Sequence, residues 1–132
     1  MTSKLWILPL LGLAALGACA PQPQRITLQQ PSGPPTGVEG VYRGTARLIR
    51  SDNRYCPHSG PRSYQVKNGA VTLAYQGAGR QRVPLTAPIQ SNGDFDISDG
   101  EGRLQGHAAD GALTMTIASQ YCEHYWTMRL VN

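Results

Sequence analysis

ALTMTIASQYCEHYWTMRLV, residues 112–131, is the stretch on which the fold turns. Leu113, Met115 and Ile117 alternate with Thr114 and Thr116. Cys122, His124, Trp126, Met128 and Leu130 alternate with Tyr121, Glu123, Tyr125, Thr127 and Arg129. Successive side chains of a β-strand point to opposite faces, so this period of two describes strands with one face in a core and the other in water. The same pattern recurs upstream. Phe95 and Ile97 alternate with Asp94, Asp96 and Ser98, and Leu104 anchors a run from Glu101 to Ala108. Val71, Leu73 and Tyr75 alternate with Thr72 and Ala74, Tyr64 and Val66 with Ser63, Gln65 and Lys67, and Tyr42, Gly44, Ala46 and Leu48 with Arg43, Thr45 and Arg47. Arg80–Ile89 carries Pro84 and Pro88, which assigns it to an irregular or edge strand. Asn68-Gly69, Asn92-Gly93, Asp99-Gly100 and Asp110-Gly111 are expected to be type I′ hairpin turns, with positive φ at both central residues. The expected fold is all-β, an antiparallel meander of about eight strands.

The chain has 132 residues, 15% of them charged and 40% hydrophobic, with 15 Gly and 10 Pro. That length allows one small domain, and the composition excludes a coiled coil, a helical bundle and a highly charged disordered chain. A net charge of +4 is too small for a polybasic nucleic-acid binder, and nucleic acid is not an expected partner.

The first residues, MTSKLWILPLLGLAALGACA, place Lys4 before an apolar run from Leu5 to Leu16. The run is shorter than the roughly 20 residues of a membrane-spanning helix and fits the apolar part of a secretory signal. Leu16-Gly17-Ala18-Cys19 resembles the lipobox of bacterial lipoproteins. The resemblance implies cleavage before Cys19 by signal peptidase II, a diacylglyceryl group on the Cys19 thiol and a membrane anchor through that lipid. Ala20, rather than Asp, follows the lipidated position, which in Gram-negative lipoproteins points to the outer membrane, with the domain facing the periplasm. Residues 1–18 are thus read as a signal peptide. Residues 19–37, rich in Pro and Gln, are read as anchor and extended tether, reaching about 50 Å. Residues 38–132 are read as the folded domain.

Cys19 taken by lipid leaves Cys56 and Cys122, an even number in an oxidising compartment, and a disulfide is expected between them. Tyr-Cys-x-His occurs twice, at Tyr55–His58 and Tyr121–His124. This leaves a Cys56, His58, Cys122, His124 metal set as the alternative, although C-x-H is not the usual spacing of structural zinc. Cys56 follows the first strand and Cys122 starts the last, so a bridge makes these strands neighbours. That suggests a small closed barrel, with an open two-layer sandwich as the alternative. The expected interior comprises Tyr42, Leu48, Val66, Val71, Leu73, Phe95, Ile97, Leu104, Leu113, Met115, Ile117, Trp126, Met128 and Leu130. Gly44, Ala46 and Gly106 border it, leaving a filled and a hollow interior both open.

No nucleophile elbow, zinc-protease helix or phosphate loop is present, and neither catalytic residues nor a cofactor are expected. Asp94–Glu101 fails as a calcium loop, because the sixth and twelfth positions hold Asp99 and Gln105. Arg43 and Arg47 share a strand face, and Tyr55, Tyr121 and Tyr125 cluster near the cysteines in sequence. Arg beside aromatic residues marks binding surfaces, so these five are the candidate binding residues. The partner is expected to be an envelope protein or an acidic glycan or lipid, engaged by a monomer. Three functions fit: a non-enzymatic binding or structural module of the envelope, an inhibitor of a lysozyme or protease, and a carrier of a small apolar ligand. For the second, the chain resembles the lysozyme-inhibitor lipoproteins in size, anchor and all-β character, without a matching inhibitory loop.

Overall fold

The computed structural model describes residues 37–131. The segments read as signal peptide, Cys19 and tether, up to residue 36, lie outside the described residues. Eight strands follow in order: β1 (Gly40–Ser51), β2 (Gly60–Val66), β3 (Ala70–Gln76), β4 (Arg82–Pro88), β5 (Asp94–Ser98), β6 (Gly102–Ala109), β7 (Ala112–Ser119) and β8 (Cys122–Val131). No helix occurs among the described residues. Six strands form one antiparallel sheet in the order β2-β1-β8-β7-β6-β5, and β3 and β4 pair with each other as a second sheet.

The first and last strands are neighbours, as the cysteines imply. β1 and β8 pair along nearly their whole length, from Val41 opposite Val131 to Ser51 opposite Cys122. The sheet does not close into a barrel, and the open two-layer alternative is the architecture. Closure needs ladders from β2 to β3 and from β4 to β5. The first is reduced to one bridge, Lys67 to Ala70. The second meets Pro84 and Pro88, which lie on the same side of β4 and have no N–H to donate, so one edge of β4 lacks both donors. The β3–β4 hairpin lies instead on the inner face of the large sheet, over β5, β6 and β7.

The core sits between the two layers. Tyr42, Phe95, Leu104, Leu113, Met115, Ile117 and Met128 of the large sheet meet Val71, Tyr75, Leu85 and Ala87 of the hairpin. Of the expected interior residues, Leu48, Leu73, Ile97, Trp126 and Leu130 are half-buried rather than enclosed. Gly106 opens no space, because the Phe95 ring lies where its Cβ would stand, 2.5 Å from that position. Tyr75 and Gly102 form a similar pair across the layers, the ring about 2.2 Å from where a Cβ would be.

The Asn68-Gly69 and Asp110-Gly111 turns have positive φ at both residues, as expected of type I′. At Asn92-Gly93 and Asp99-Gly100 only the glycine is positive, which corrects the expectation. Both Asx side chains there hold the loop by bonding the backbone instead. Asp94 N–H donates to Asn92 Oδ1, and the N–H groups of Glu101 and Gly102 donate to Asp99 Oδ1.

Candidate functional site

Only one face of the six-stranded sheet is covered by the hairpin. On the other, the register lines up β1 and β8 residue by residue: Val41 with Val131, Arg43 with Arg129, Thr45 with Thr127, Arg47 with Tyr125. Ile49 extends the column at a bulge, where pairing shifts between Leu48 and Arg50. Val41, Ile49, Tyr125 and Val131 are the exposed large apolar side chains among the described residues, and all four stand on this column.

Three arginines are interleaved with them. Among the described residues the ion pairs are Arg50–Asp52, Arg103–Asp96 and His107–Asp94, and none involves Arg43, Arg47 or Arg129. Arg43 and Arg129 face each other directly, and like charges at such a position destabilise a strand pair by roughly 0.2–1 kcal/mol. On the far side of the same face, Asp96 and Asp94 each have a side-chain partner. Arg103 binds both Asp96 oxygens at 2.9 and 2.6 Å, which holds the Asp96 carboxyl below its usual range. His107, which has no partner legible in the sequence, meets Asp94 at 2.7 Å through the β5–β6 register. Three guanidinium groups therefore stand along β1 and β8, with Glu123 at the far end of the same β8 face, opposite Arg50.

Of the five expected binding residues, Arg43, Arg47 and Tyr125 share this column, while Tyr55 and Tyr121 do not. Tyr55 sits in the β1–β2 connection between the guanidinium groups of Arg54 and Arg80, at 5.0 and 5.2 Å. Hydrogen bonding from Arg80 first, and then Arg54, lowers its phenol pKa. Tyr121 borders a separate groove with Gln76, Gln81 and Glu101. Arg129 belongs to the column and was not among the expected binding residues, because only the β1–β8 register brings it opposite Arg43.

No family model, curated protein or solved structure matches this chain.

Cys56 and Cys122 form a disulfide, with Cα atoms 5.8 Å apart. Both sulfurs are thereby removed from ligation, and the Cys56, His58, Cys122, His124 metal alternative does not assemble. His124 Nε2 instead contacts the Pro57 carbonyl at 2.7 Å, while His58 is exposed. Among the described residues no three His, Cys, Asp or Glu side chains converge on a metal position. The bridged connection is held down further. Asp52 N–H donates to the Tyr121 carbonyl at 2.7 Å, and Asn53 Nδ2 donates to the carbonyls of Gly77 and Gly79. Arg50 reaches the carbonyls of Ser119 and Gln120.

Beside this staple, where β3 passes β8, the two layers leave a hollow of about 160 Å³. Leu73, Ile117 and Trp126 give it apolar walls, and His124, Arg62 and Arg82 border it. Trp126 Nε1 is buried without a hydrogen-bond partner. The Arg62 guanidinium stands 5.8 Å from the centre of the Trp126 rings. Burial first lowers the His124 pKa, and the nearby charges of Arg62 and Arg82 lower it further, against the bond to Pro57. The imidazole is therefore neutral at pH 7. The sequence does not expose this site, because its walls come from β2, β3, β4, β7 and β8.

Proposed function

We propose that this chain is a lipid-anchored protein of the bacterial envelope, attached at Cys19, whose sandwich is a non-enzymatic binding module for an acidic envelope surface. The observation that carries the binding part is the β1–β8 column. Among the described residues, the exposed large apolar side chains and three arginines without carboxylate partners coincide on the sheet face away from the hairpin. Exposed apolar clusters of this kind mark interaction surfaces, and unpaired arginines select phosphate or carboxylate groups. The lipobox-like Leu16–Cys19 supports the anchor, and the Pro-rich segment after it gives the domain reach.

The two parts are tested separately. Mass spectrometry of the mature wild-type chain should find its N-terminus at Cys19 with a diacylglyceryl group on the thiol; an unmodified Cys19 or a different N-terminus removes the anchor. The purified Cys19→Ser chain should sediment with phosphatidylglycerol vesicles at least about tenfold more tightly than with phosphatidylcholine vesicles. Adding Arg43→Gln and Arg129→Gln should abolish that preference while leaving the thermal midpoint unchanged or higher, since a like-charge pair is relieved. Equal binding to both vesicles, or a preference that survives the double substitution, removes the acidic-surface reading.

A further inference from the structure

We infer that the hollow between β3 and β8 is a binding site for a small carboxylate with a compact apolar body, the size of one aromatic ring. It is a second site, separate from the outer column and independent of the anchor. Size comes first. A cavity near 150 Å³ lined by apolar side chains holds one benzene-sized molecule, and this one measures about 160 Å³. Leu73, Ile117 and Trp126 supply its apolar walls.

Charge selects the ligand's polar end. Arg62 and Arg82 border the hollow, and no Asp or Glu lines it. Neither arginine has an ion-pair partner among the described residues. Their side-chain bonds go to neutral acceptors: Arg62 donates to the carbonyls of Pro61 and His58, and Arg82 to Gln76 Oε1 and the Ala74 carbonyl at 3.5 and 3.3 Å. A guanidinium only donates hydrogen bonds. The site thus sets positive charge and guanidinium donors beside an apolar volume, the complement of a carboxylate on a ring or short chain. An amine would meet two cations, and a neutral alcohol would forgo the charge.

The chain has two tryptophans, Trp6 and Trp126, so in the full-length Trp6→Phe, Cys19→Ser chain all indole emission comes from Trp126. The probes are phenylacetate, 2-phenylethanol and 2-phenylethylamine, which share a ring and differ in the head group, with octanoate as an alkyl carboxylate. Titration followed by Trp126 emission, and independently by equilibrium dialysis, should show phenylacetate bound at least about tenfold more tightly than the alcohol, with the amine weakest. Arg82→Gln should lower phenylacetate affinity several-fold and leave the alcohol unaffected. Leu73→Phe, which extends an apolar wall into the hollow, should weaken the binding of every probe. Tighter binding of octanoate than of phenylacetate would keep the carboxylate and assign an alkyl body. Absence of a carboxylate preference, or one unmoved by Arg82→Gln, overturns the inference, and it does so even where Leu73→Phe fails to fold.

Discussion

His124 is a polar residue placed where the strand alternation demands an inward-facing one. Its ring is buried, and its Nε2 bond to Pro57 ties β8 to the disulfide-bearing connection. Burial and the two neighbouring arginines lower its pKa. The unfolded chain therefore takes up a proton at higher pH than the folded one. The stability associated with a neutral His124 is complete above the ordinary imidazole value of 6.5 and is lost as pH falls from there toward the lower folded value. Denaturant midpoints measured between about pH 7.5 and about pH 5 should fall in the wild type. His124→Gln, which keeps a donor for the Pro57 carbonyl and does not titrate, should flatten that slope. An unchanged slope would mean that other groups carry the acid sensitivity. Tyr75 is perturbed in the opposite direction by its own partner. Its O–H donates to Asp99 at 2.6 Å, and that bond, with burial, pushes the phenol up to about 12. The same bond, followed by the Glu101 and Gly102 N–H groups, lowers the Asp99 carboxyl.

Glycines act at the level of the strand pair, by two unrelated routes. Gly111 has φ +76 and open space where a Cβ would go, so Gly111→Ala pays only for the left-handed backbone, about 1 kcal/mol. Gly44 has an ordinary φ, yet its Cβ would stand 1.9 Å from the Thr127 carbonyl oxygen and 2.7 Å from the Met128 Cα. Gly44→Ala must therefore push β1 away from β8 and should cost more, about 3 kcal/mol. Equilibrium unfolding of the two variants should separate them by that margin; equal losses would show that β1 and β8 are not packed so closely. Legibility in the sequence follows the same division. Period-two runs and X-Gly turns expose strands and reversals because both are local, which is why Leu113–Ile117 and Cys122–Leu130 read correctly. The β3–β4 reversal through Gly77–Gln81 carries no Asn-Gly or Asp-Gly. It is held by Gln76 Nε2 on the Gly79 and Gln81 carbonyls, which no local pattern announces. The β1–β8 column is half legible: Arg43, Arg47 and Tyr125 can be named from alternation, whereas Arg129 needs the register. The hollow was illegible, since its walls meet only across layers.

At the level of the whole molecule, one covalent bond compensates for an incomplete sheet. The large sheet keeps two edges, β2 and β5, and the hairpin that joins them in sequence is attached to β2 by a single bridge. Among the described residues β2 is then an edge strand whose only ladder is to β1, and the connection leading into it has no regular pairing of its own. Cys56–Cys122 anchors that connection to the start of β8 across a separation of 66 residues. A loop of that length corresponds to about 4 kcal/mol of lost unfolded-state entropy, a large share of the 5–15 kcal/mol that keeps a typical domain folded. Cys56→Ala with Cys122→Ala should lower unfolding free energy by about that amount. The loss should also be uneven. β1 and β8 retain their full ladder without the bridge, whereas the 52–59 connection that leads into β2 loses its covalent tie and keeps only hydrogen bonds. Hydrogen exchange should therefore accelerate first at β2 and the connection, while β6, β7 and β8 keep their protection relative to the lowered global stability. Uniform acceleration across all strands would show that the bridge acts only through the unfolded chain and does not hold the open side of the sandwich in place.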